Sequence, residues 1–89
     1  MKKFVVYGTG CKAVAHPRAS DKDPVIDAAH RAVRRMYGRS ARVWGWRCDS
    51  SGVVGDRIVS RNLKGTVVGN RSKHGGWPIL GEVFFTQHL

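Results

Sequence analysis

The stretch AAHRAVRRMYGRSARVWGWRC, residues 28–48, changes its apolar rhythm in the middle. In its first half the apolar residues recur every three or four positions, which is the spacing of one helix face. In its second half apolar and polar residues alternate, which is typical of a strand with one buried side. The stretch carries six arginines and no acidic residue. It therefore predicts a helix followed by a strand, both of them positively charged.

The predicted helix has clear signals at both ends. Asp23 suits an N-cap, Pro24 suits the first helical position, and Gly38 suits a left-handed C-cap. At helical spacing one face is apolar and is expected to pack on the core; it contains Val25, Ile26, Ala29, Ala32, Val33, Met36 and Tyr37. The opposite face is expected to form a cationic helix back; it contains Asp27, His30, Arg31, Arg34 and Arg35.

Short apolar or alternating runs predict the strands, which in chain order are residues 3–8, 11–16, 41–48, 56–62 and 82–88. The sequence DSSG at 49–52 is predicted to be the turn of a hairpin, and residues 66–68 either extend its second strand or begin another. This order predicts an α+β fold of two layers in a single domain, residues 1–89. One amphipathic helix would pack on a curved antiparallel sheet of about four to five strands.

The two tryptophans of the predicted hairpin have two readings. If alternation is unbroken, Trp44 and Trp46 share a face, and pairing apolar with apolar places them with Ile58 under the helix. The open face of the sheet would then carry Arg47, Arg57 and Arg61. In the other reading the tryptophans stack bases on an open sheet, as in proteins that bind single strands. Gly45 between them fits a bulge or a close backbone approach, so the spacing leaves both readings open.

The charge balance points to an anionic partner. Lys and Arg number 16 against 6 Asp and Glu, a formal net charge of +10. Such an excess favours an acidic protein surface, a ribonucleoprotein, or RNA or DNA contacted directly. A basic surface with no dedicated partner is the alternative. The candidate contact residues are Arg31, Arg34, Arg35, Arg39, Arg47, Arg57, Arg61, Arg71 and Lys73.

No pattern in the sequence supports catalysis, a metal or a cofactor. The separations of Cys11, His16, Cys48 and His74 match no zinc-binding spacing. Cys48 with His30 lacks the signature of a thiol nucleophile and its base, so we expect no enzyme and no cofactor. The Gly-rich segment 69–81 lacks the ending of a phosphate-binding P-loop. It could wrap a phosphate backbone or simply connect two strands.

The sequence carries no signal for secretion or membrane insertion. The apolar run after the first two lysines is too short for a signal peptide, and no run approaches the roughly 18 residues of a membrane span. Two cysteines do not make a disulfide framework. We therefore expect a cytoplasmic protein with reduced thiols and no membrane partner.

The order of elements, with DAAHRAVRRMYG at 27–38 and GNRSKHGGWPILGEVFF at 69–85, resembles small phage-encoded inhibitors. It is similar in particular to anti-CRISPR proteins that act on type I surveillance complexes. The resemblance implies a non-catalytic protein in the cytoplasm of an infected bacterium. It would bind a host ribonucleoprotein and block DNA recognition or nuclease recruitment.

The charge of the chain departs from that family, because many such inhibitors are acidic and imitate DNA. At +10 this chain cannot imitate DNA, and it would have to grip an acidic protein surface, the guide RNA or the DNA itself. The alternative function is a stand-alone nucleic-acid-binding or regulatory protein.

Overall fold

The computed structural model describes residues 2–70 and 75–89. Within them the chain forms one helix and five strands, in the order β1 (Phe4–Gly8), β2 (Cys11–Ala15), α1 (Pro24–Tyr37), β3 (Arg42–Val54), β4 (Arg57–Val68) and β5 (Ile79–His88). The strands form one antiparallel sheet with the spatial order β2-β1-β5-β4-β3. Helix α1 packs on one face of this sheet, which confirms the two-layer α+β prediction. We call the opposite face the open face.

The ends of α1 lie where the capping residues predicted them. The Asp23 side chain accepts a hydrogen bond from the Ile26 backbone N–H at 3.2 Å, and Pro24 begins the helix. At the other end the Gly38 N–H donates to the Arg34 carbonyl at 2.8 Å. Gly38 has a φ of +106° with a ψ of 165°, so its φ is positive as expected but its ψ is extended. The prediction of a left-handed C-cap at Gly38 is therefore wrong in the ψ angle.

The core lies between α1 and the helix-facing side of the sheet. The sheet side contributes five fully buried residues, Val6, Ala15, Val67, Val83 and Phe85. The helix side contributes Ala28, Ala29, Ala32 and Val33, and its predicted apolar residues Val25, Ile26, Met36 and Tyr37 pack half-buried around them. The predicted apolar face is thus confirmed, with Ala28 added. Three alanines in the helix face let it approach the sheet closely.

Glycines of the sheet make room for the last turn of α1. A Cβ atom on Gly8 would lie 2.6 Å from the Tyr37 hydroxyl oxygen, and one on Gly81 would lie 2.7 Å from the same atom. The hydroxyl oxygen also accepts a hydrogen bond from the Thr9 N–H at 3.1 Å. Both glycines are therefore needed so that the helix end can rest directly on β1 and β5.

The β3–β4 hairpin is longer than predicted, and its turn lies elsewhere. Residues 49–52 are part of β3, where Ser50 pairs with Asn62 and Gly52 pairs with Ser60. The predicted turn at DSSG is therefore wrong, because a bulge at Asp49 absorbs one residue and pairing continues beyond it. Residues 66–68 extend β4 rather than begin another strand.

The observed turn of this hairpin is the pair Gly55-Asp56 between Val54 and Arg57. Gly55 has a φ of +63°, whereas Asp56 has no positive φ, which fits a type II′ turn with glycine first. The last strand also differs from its prediction: β5 begins at Ile79, which pairs with Val68.

Candidate functional site

A bulge at Gly45 separates the two tryptophans onto opposite faces of the sheet. Trp44 pairs with Thr66, and Trp46 pairs with Gly65, the residue before Thr66 in β4. Gly45 is therefore an extra residue in β3. Gly45 has a φ of +72°, a conformation that favours glycine. Thr66 and Gly65 point to opposite faces, and their partners on β3 do the same. The alternation of side chains between the two faces is therefore broken at Gly45, whose role the sequence left open.

Trp46 lies under the helix, as one reading predicted. Its ring meets that of Phe85 edge to face at a centroid distance of 5.1 Å. Its indole Nε1–H donates to His30 Nε2 at 3.4 Å. Burial and the nearby charge of Arg34 lower the pKa of His30, so the neutral imidazole that accepts this hydrogen bond is favoured.

Trp44 lies on the open face and is 71% exposed, so its predicted place in the core is wrong. The reason is the bulge at Gly45, which turns its side chain away from α1. Ile58 is also wrongly placed by the prediction, at 48% exposed. It lies near the Gly55-Asp56 turn. Pairing between β4 and β5 begins only at Ser60, so Ile58 lies in the part of the hairpin that β5 does not reach.

The open face carries two further aromatic rings that the sequence analysis did not single out. Phe84 and Phe85 are adjacent in β5 and point to opposite faces, so Phe85 is buried while Phe84 is 51% exposed. Tyr7 pairs with Phe84 across β1 and β5 and is 43% exposed. The rings of Tyr7 and Phe84 are stacked, with centroids 5.5 Å apart.

These two rings belong to a row that crosses all five strands. Tyr7 pairs with Lys12 and with Phe84, Phe84 pairs with Lys64, and Lys64 pairs with Arg47. We call this set the central row; in spatial order it is Lys12, Tyr7, Phe84, Lys64 and Arg47. At a strand spacing of about 4.8 Å, its ends lie roughly 19 Å apart. Two adjacent aromatic rings are thus flanked by three cations on an uncovered surface.

The carboxylate of Glu82 shares this surface with the central row. Glu82 lies 2.9 Å from Lys64 Nζ, and the hydrogen bond from Lys64 lowers the pKa of Glu82. Both side chains are partly exposed, so water screens their attraction. Even with Glu82 and the nearby Asp49 included, three cations against two anions leave this region positive.

A second row beside it is held together by hydrogen bonds. Thr86 Oγ1 donates to Asn62 Oδ1 at 2.7 Å, and Asn62 Nδ2 donates to Ser50 Oγ at 2.7 Å. Thr86 and Ser50 are the strand partners of Asn62 on its two sides. We call these three residues the polar ladder. It fixes polar side chains next to Phe84, which lies two residues before Thr86 in β5.

The predicted sheet arginines do not share one face. Arg47 lies on the open face in the central row, as predicted. Arg61 pairs with Gln87 and alternates in phase with the helix-facing Leu63 and Val67, so its predicted place on the open face is wrong. Because β4 runs unbroken to Val68, Leu63 and Val67 decide the orientation of Arg61. Arg57 is exposed beside the Gly55-Asp56 turn, at the far end of the hairpin.

The cationic helix back is largely committed to contacts within the chain. Arg31 donates through both terminal nitrogens to the Asp21 carboxylate, at 2.7 and 2.8 Å, and also to the His16 carbonyl at 2.8 Å. This pairing lowers the pKa of Asp21 to about 2 and raises that of Arg31. Arg35 donates to the Val14 carbonyl on β2. Arg31 and Arg35 therefore fasten α1 to the edge of the sheet.

The remaining predicted contact residues are scattered or lie outside the described part of the chain. Arg34 and Arg39 are exposed, and their side chains make no hydrogen bond or ion pair within residues 2–70 and 75–89. Arg71, Lys73 and His74 fall outside the described residues. Of the Gly-rich segment, Trp77 lines a depression of about 320 Å³ with Arg42, Trp44 and Val68.

Metal and thiol chemistry receives no support from the described residues. Cys11 and Cys48 are free thiols, the first half-buried and the second exposed. Across residues 2–70 and 75–89, no three His, Cys, Asp or Glu side chains come together as metal ligands. The helix in this part of the chain is too short and too polar to cross a bilayer.

Among the open-face residues that were not predicted, Phe84 alone had a local signal in the sequence. The adjacent pair Phe84 and Phe85 within one strand required that one ring face away from the core. Tyr7, Lys12 and Lys64 gave no such signal, because their grouping depends on β5 lying between β1 and β4.

In comparisons with known proteins, no family model, no curated protein and no solved structure matched this chain.

Proposed function

We propose that the open face binds single-stranded nucleic acid. The observation that carries this proposal is the central row, in which exposed aromatic rings lie directly between cations on an uncovered sheet. Bases stack on aromatic side chains with little regard to sequence, and Lys and Arg hold the phosphates. In this arrangement Phe84, Tyr7 and Trp44 receive bases, while Lys12, Lys64 and Arg47 neutralise the backbone.

The aromatic rings favour nucleic acid over an acidic protein surface. Cations alone would suit either partner. An exposed Trp44 and a stacked pair of Tyr7 and Phe84 add flat apolar faces, and a base offers a matching face at each nucleotide. Carboxylates on a folded acidic protein offer no such partner for the rings. The combination therefore fits nucleic acid better.

The same rings favour a single strand over a duplex. In a duplex the bases are stacked on each other, and the outer surface presents phosphates and groove edges. Against a duplex, the rings of the central row would therefore meet phosphates and groove edges rather than base faces. A single strand can turn its bases toward the protein and its phosphates toward the flanking cations.

The inhibitor role implied by the family resemblance stays a prediction. It is compatible with the proposed binding mode, because a surveillance ribonucleoprotein contains guide RNA that an open sheet could contact. The exposed Arg34 and Arg39 would then be available to the protein part of such a partner. No described feature favours the ribonucleoprotein over free nucleic acid.

Fluorescence anisotropy with labelled oligonucleotides tests the proposal. The protein should bind single-stranded DNA and RNA more tightly than a duplex of the same length. Phe84→Ala should weaken binding by about fivefold or more, since one base–aromatic stack contributes about 1–3 kcal/mol. Ile58→Ala is the matched control, because Ile58 is 48% exposed and Phe84 51%, but Ile58 lies at the hairpin end.

The control variant should bind within about twofold of the unmodified protein, which is the scatter expected of a surface change. Equal affinities of the Phe84→Ala and Ile58→Ala variants would contradict a binding site at the central row. Tighter binding of the duplex than of the single strand would contradict the choice of ligand.

A further inference from the structure

The open face has a concavity beside Phe84 that stacking alone does not explain. Its volume is about 410 Å³, and its lining includes Asp49, Ser50, Asn62, Phe84 and Thr86. A ring that stacks on Phe84 would extend its edge over this concavity. The polar ladder therefore lies where the edge of a stacked base would be.

The ladder holds Asn62 in a position to read such an edge. A side-chain amide has two N–H donors and a carbonyl oxygen with two lone pairs. The ladder uses one donor toward Ser50 and one lone pair toward Thr86. One N–H and one lone pair remain for a ligand, side by side on a fixed amide. An adjacent donor and acceptor can bond bidentately to one base edge.

A second acceptor lies on the rim of the same concavity. Asp49 is the residue that the β3 bulge inserts between Cys48 and Ser50, and it is exposed. An ionised carboxylate only accepts hydrogen bonds. It repels a phosphate and attracts an N–H group. The part of the rim formed by Asp49 is thus unsuited to the backbone and suited to a donor on a base, whereas Lys64 lines the same concavity as a cation.

We propose that this concavity is a nucleobase subsite that selects bases with an exocyclic amino group. The proposal rests on the proposed function and adds to it a preference among bases. The base stacks on Phe84, its amino group donates to Asn62 Oδ1 or to Asp49, and the free Asn62 N–H donates to the adjacent ring nitrogen. Lys64, which pairs with Phe84 and also lines the concavity, holds the phosphate.

A comparison of cytosine with thymine separates selection by the amino group from differences in stacking strength. Both are pyrimidines of similar size. Cytosine presents an amino donor at the position where thymine presents the O4 acceptor. An acceptor placed there faces the carboxylate of Asp49 and the carbonyl of Asn62, which leaves polar groups unpaired. The subsite should therefore prefer cytosine.

The test compares oligo-dC with oligo-dT of equal length by fluorescence anisotropy near neutral pH. The unmodified protein should bind oligo-dC about fivefold or more tightly, the lower end of the discrimination from a bidentate pair. Asn62→Ala and Asp49→Asn should each reduce this preference and leave the affinity for oligo-dT within about twofold. Thr66→Ala is the control, since Thr66 lies on the open face between Trp44 and Glu82, outside the concavity.

The outcomes separate the subsite from the proposed function. If both oligonucleotides bind equally well, or oligo-dT binds better, the subsite is wrong while nucleic-acid binding stands. If the preference for oligo-dC survives in both variants, the selecting groups lie elsewhere and the subsite is wrong again. If neither oligonucleotide binds, the proposed function fails and the subsite with it. Thermal melts of each variant verify that the fold is retained.

Discussion

At the scale of single residues, Gly45 decides which aromatic ring belongs to the core and which to the surface. The sequence around it, Trp-Gly-Trp, is symmetric, yet the extra residue sends Trp46 to Phe85 and Trp44 into solvent. A bulge of this kind re-aims a side chain without ending the strand. Two identical residues two positions apart therefore have separate roles, one in stability and one on the open face.

Replacing each tryptophan by alanine should separate these roles. Trp44→Ala should change the free energy of unfolding by less than about 1 kcal/mol, as is usual for exposed sites. Trp46→Ala should cost about 2–4 kcal/mol, somewhat less than a fully buried ring because Trp46 is half-buried. Urea denaturation measures both values. Oligonucleotide affinity should fall for Trp44→Ala, and equal stability losses in the two variants would contradict the opposite faces.

At the scale of elements, α1 is attached to the sheet by specific polar contacts as well as by its apolar face. Arg31 and Arg35 donate to carbonyls at the edge strand β2 and just beyond it, and Arg31 also pairs with Asp21. At the opposite side of the helix, His30 meets Trp46. Much of the charge on the helix back therefore serves the fold, and the open face carries the exposed cations next to aromatic rings.

The contact between His30 and Trp46 should make stability depend on pH. The folded state lowers the pKa of His30 below its ordinary value of 6.5, chiefly through burial, so the unfolded chain binds the proton more readily. Stability should thus fall as the pH drops below about 6.5 toward the lowered folded pKa. The other groups near His30 are Arg34, which lowers its pKa, and Asp27, which raises it.

His30→Gln provides the comparison, because glutamine keeps an acceptor for the indole N–H and does not titrate. Its melting temperature should change less between about pH 7.5 and 5.5 than that of the unmodified protein. Asp21 does not interfere, because its stabilising effect is lost only between its ordinary value of 3.8 and about 2. Identical pH profiles for the two proteins would refute a half-buried, neutral His30.

At the scale of the whole molecule, the sequence predicted what depends on local signals and missed what depends on strand order. The sequence located α1 through its caps, Asp23 and Gly38, and its periodic apolar face. The number of short apolar runs predicted a sheet against which this helix could pack. The central row needed the pairing of Tyr7 with Phe84, two residues far apart in the chain. The orientation of Arg61 needed the full length of β4. Bulges at Gly45 and Asp49 shifted the alternation that a regular strand would have kept.

The net charge of the whole molecule does not by itself say where on its surface a ligand binds. A net charge of +10 would attract any polyanion, so binding alone would not identify a site. We propose that the open face, rather than total charge, holds the ligand. Arg47 and Arg61 allow a direct comparison, because both are exposed strand arginines and they lie on opposite faces of the sheet.

The decisive measurement is the affinity of Arg47→Gln and Arg61→Gln for one single-stranded oligonucleotide across a salt titration. Each variant removes one positive charge, so total charge is matched. Arg47→Gln should weaken binding and reduce the slope of log affinity against log salt by about 0.7, the effect of losing one phosphate contact on a single strand. Arg61→Gln should keep the slope of the unmodified protein. Equal losses in the two variants, or a larger loss for Arg61→Gln, would contradict binding at the open face.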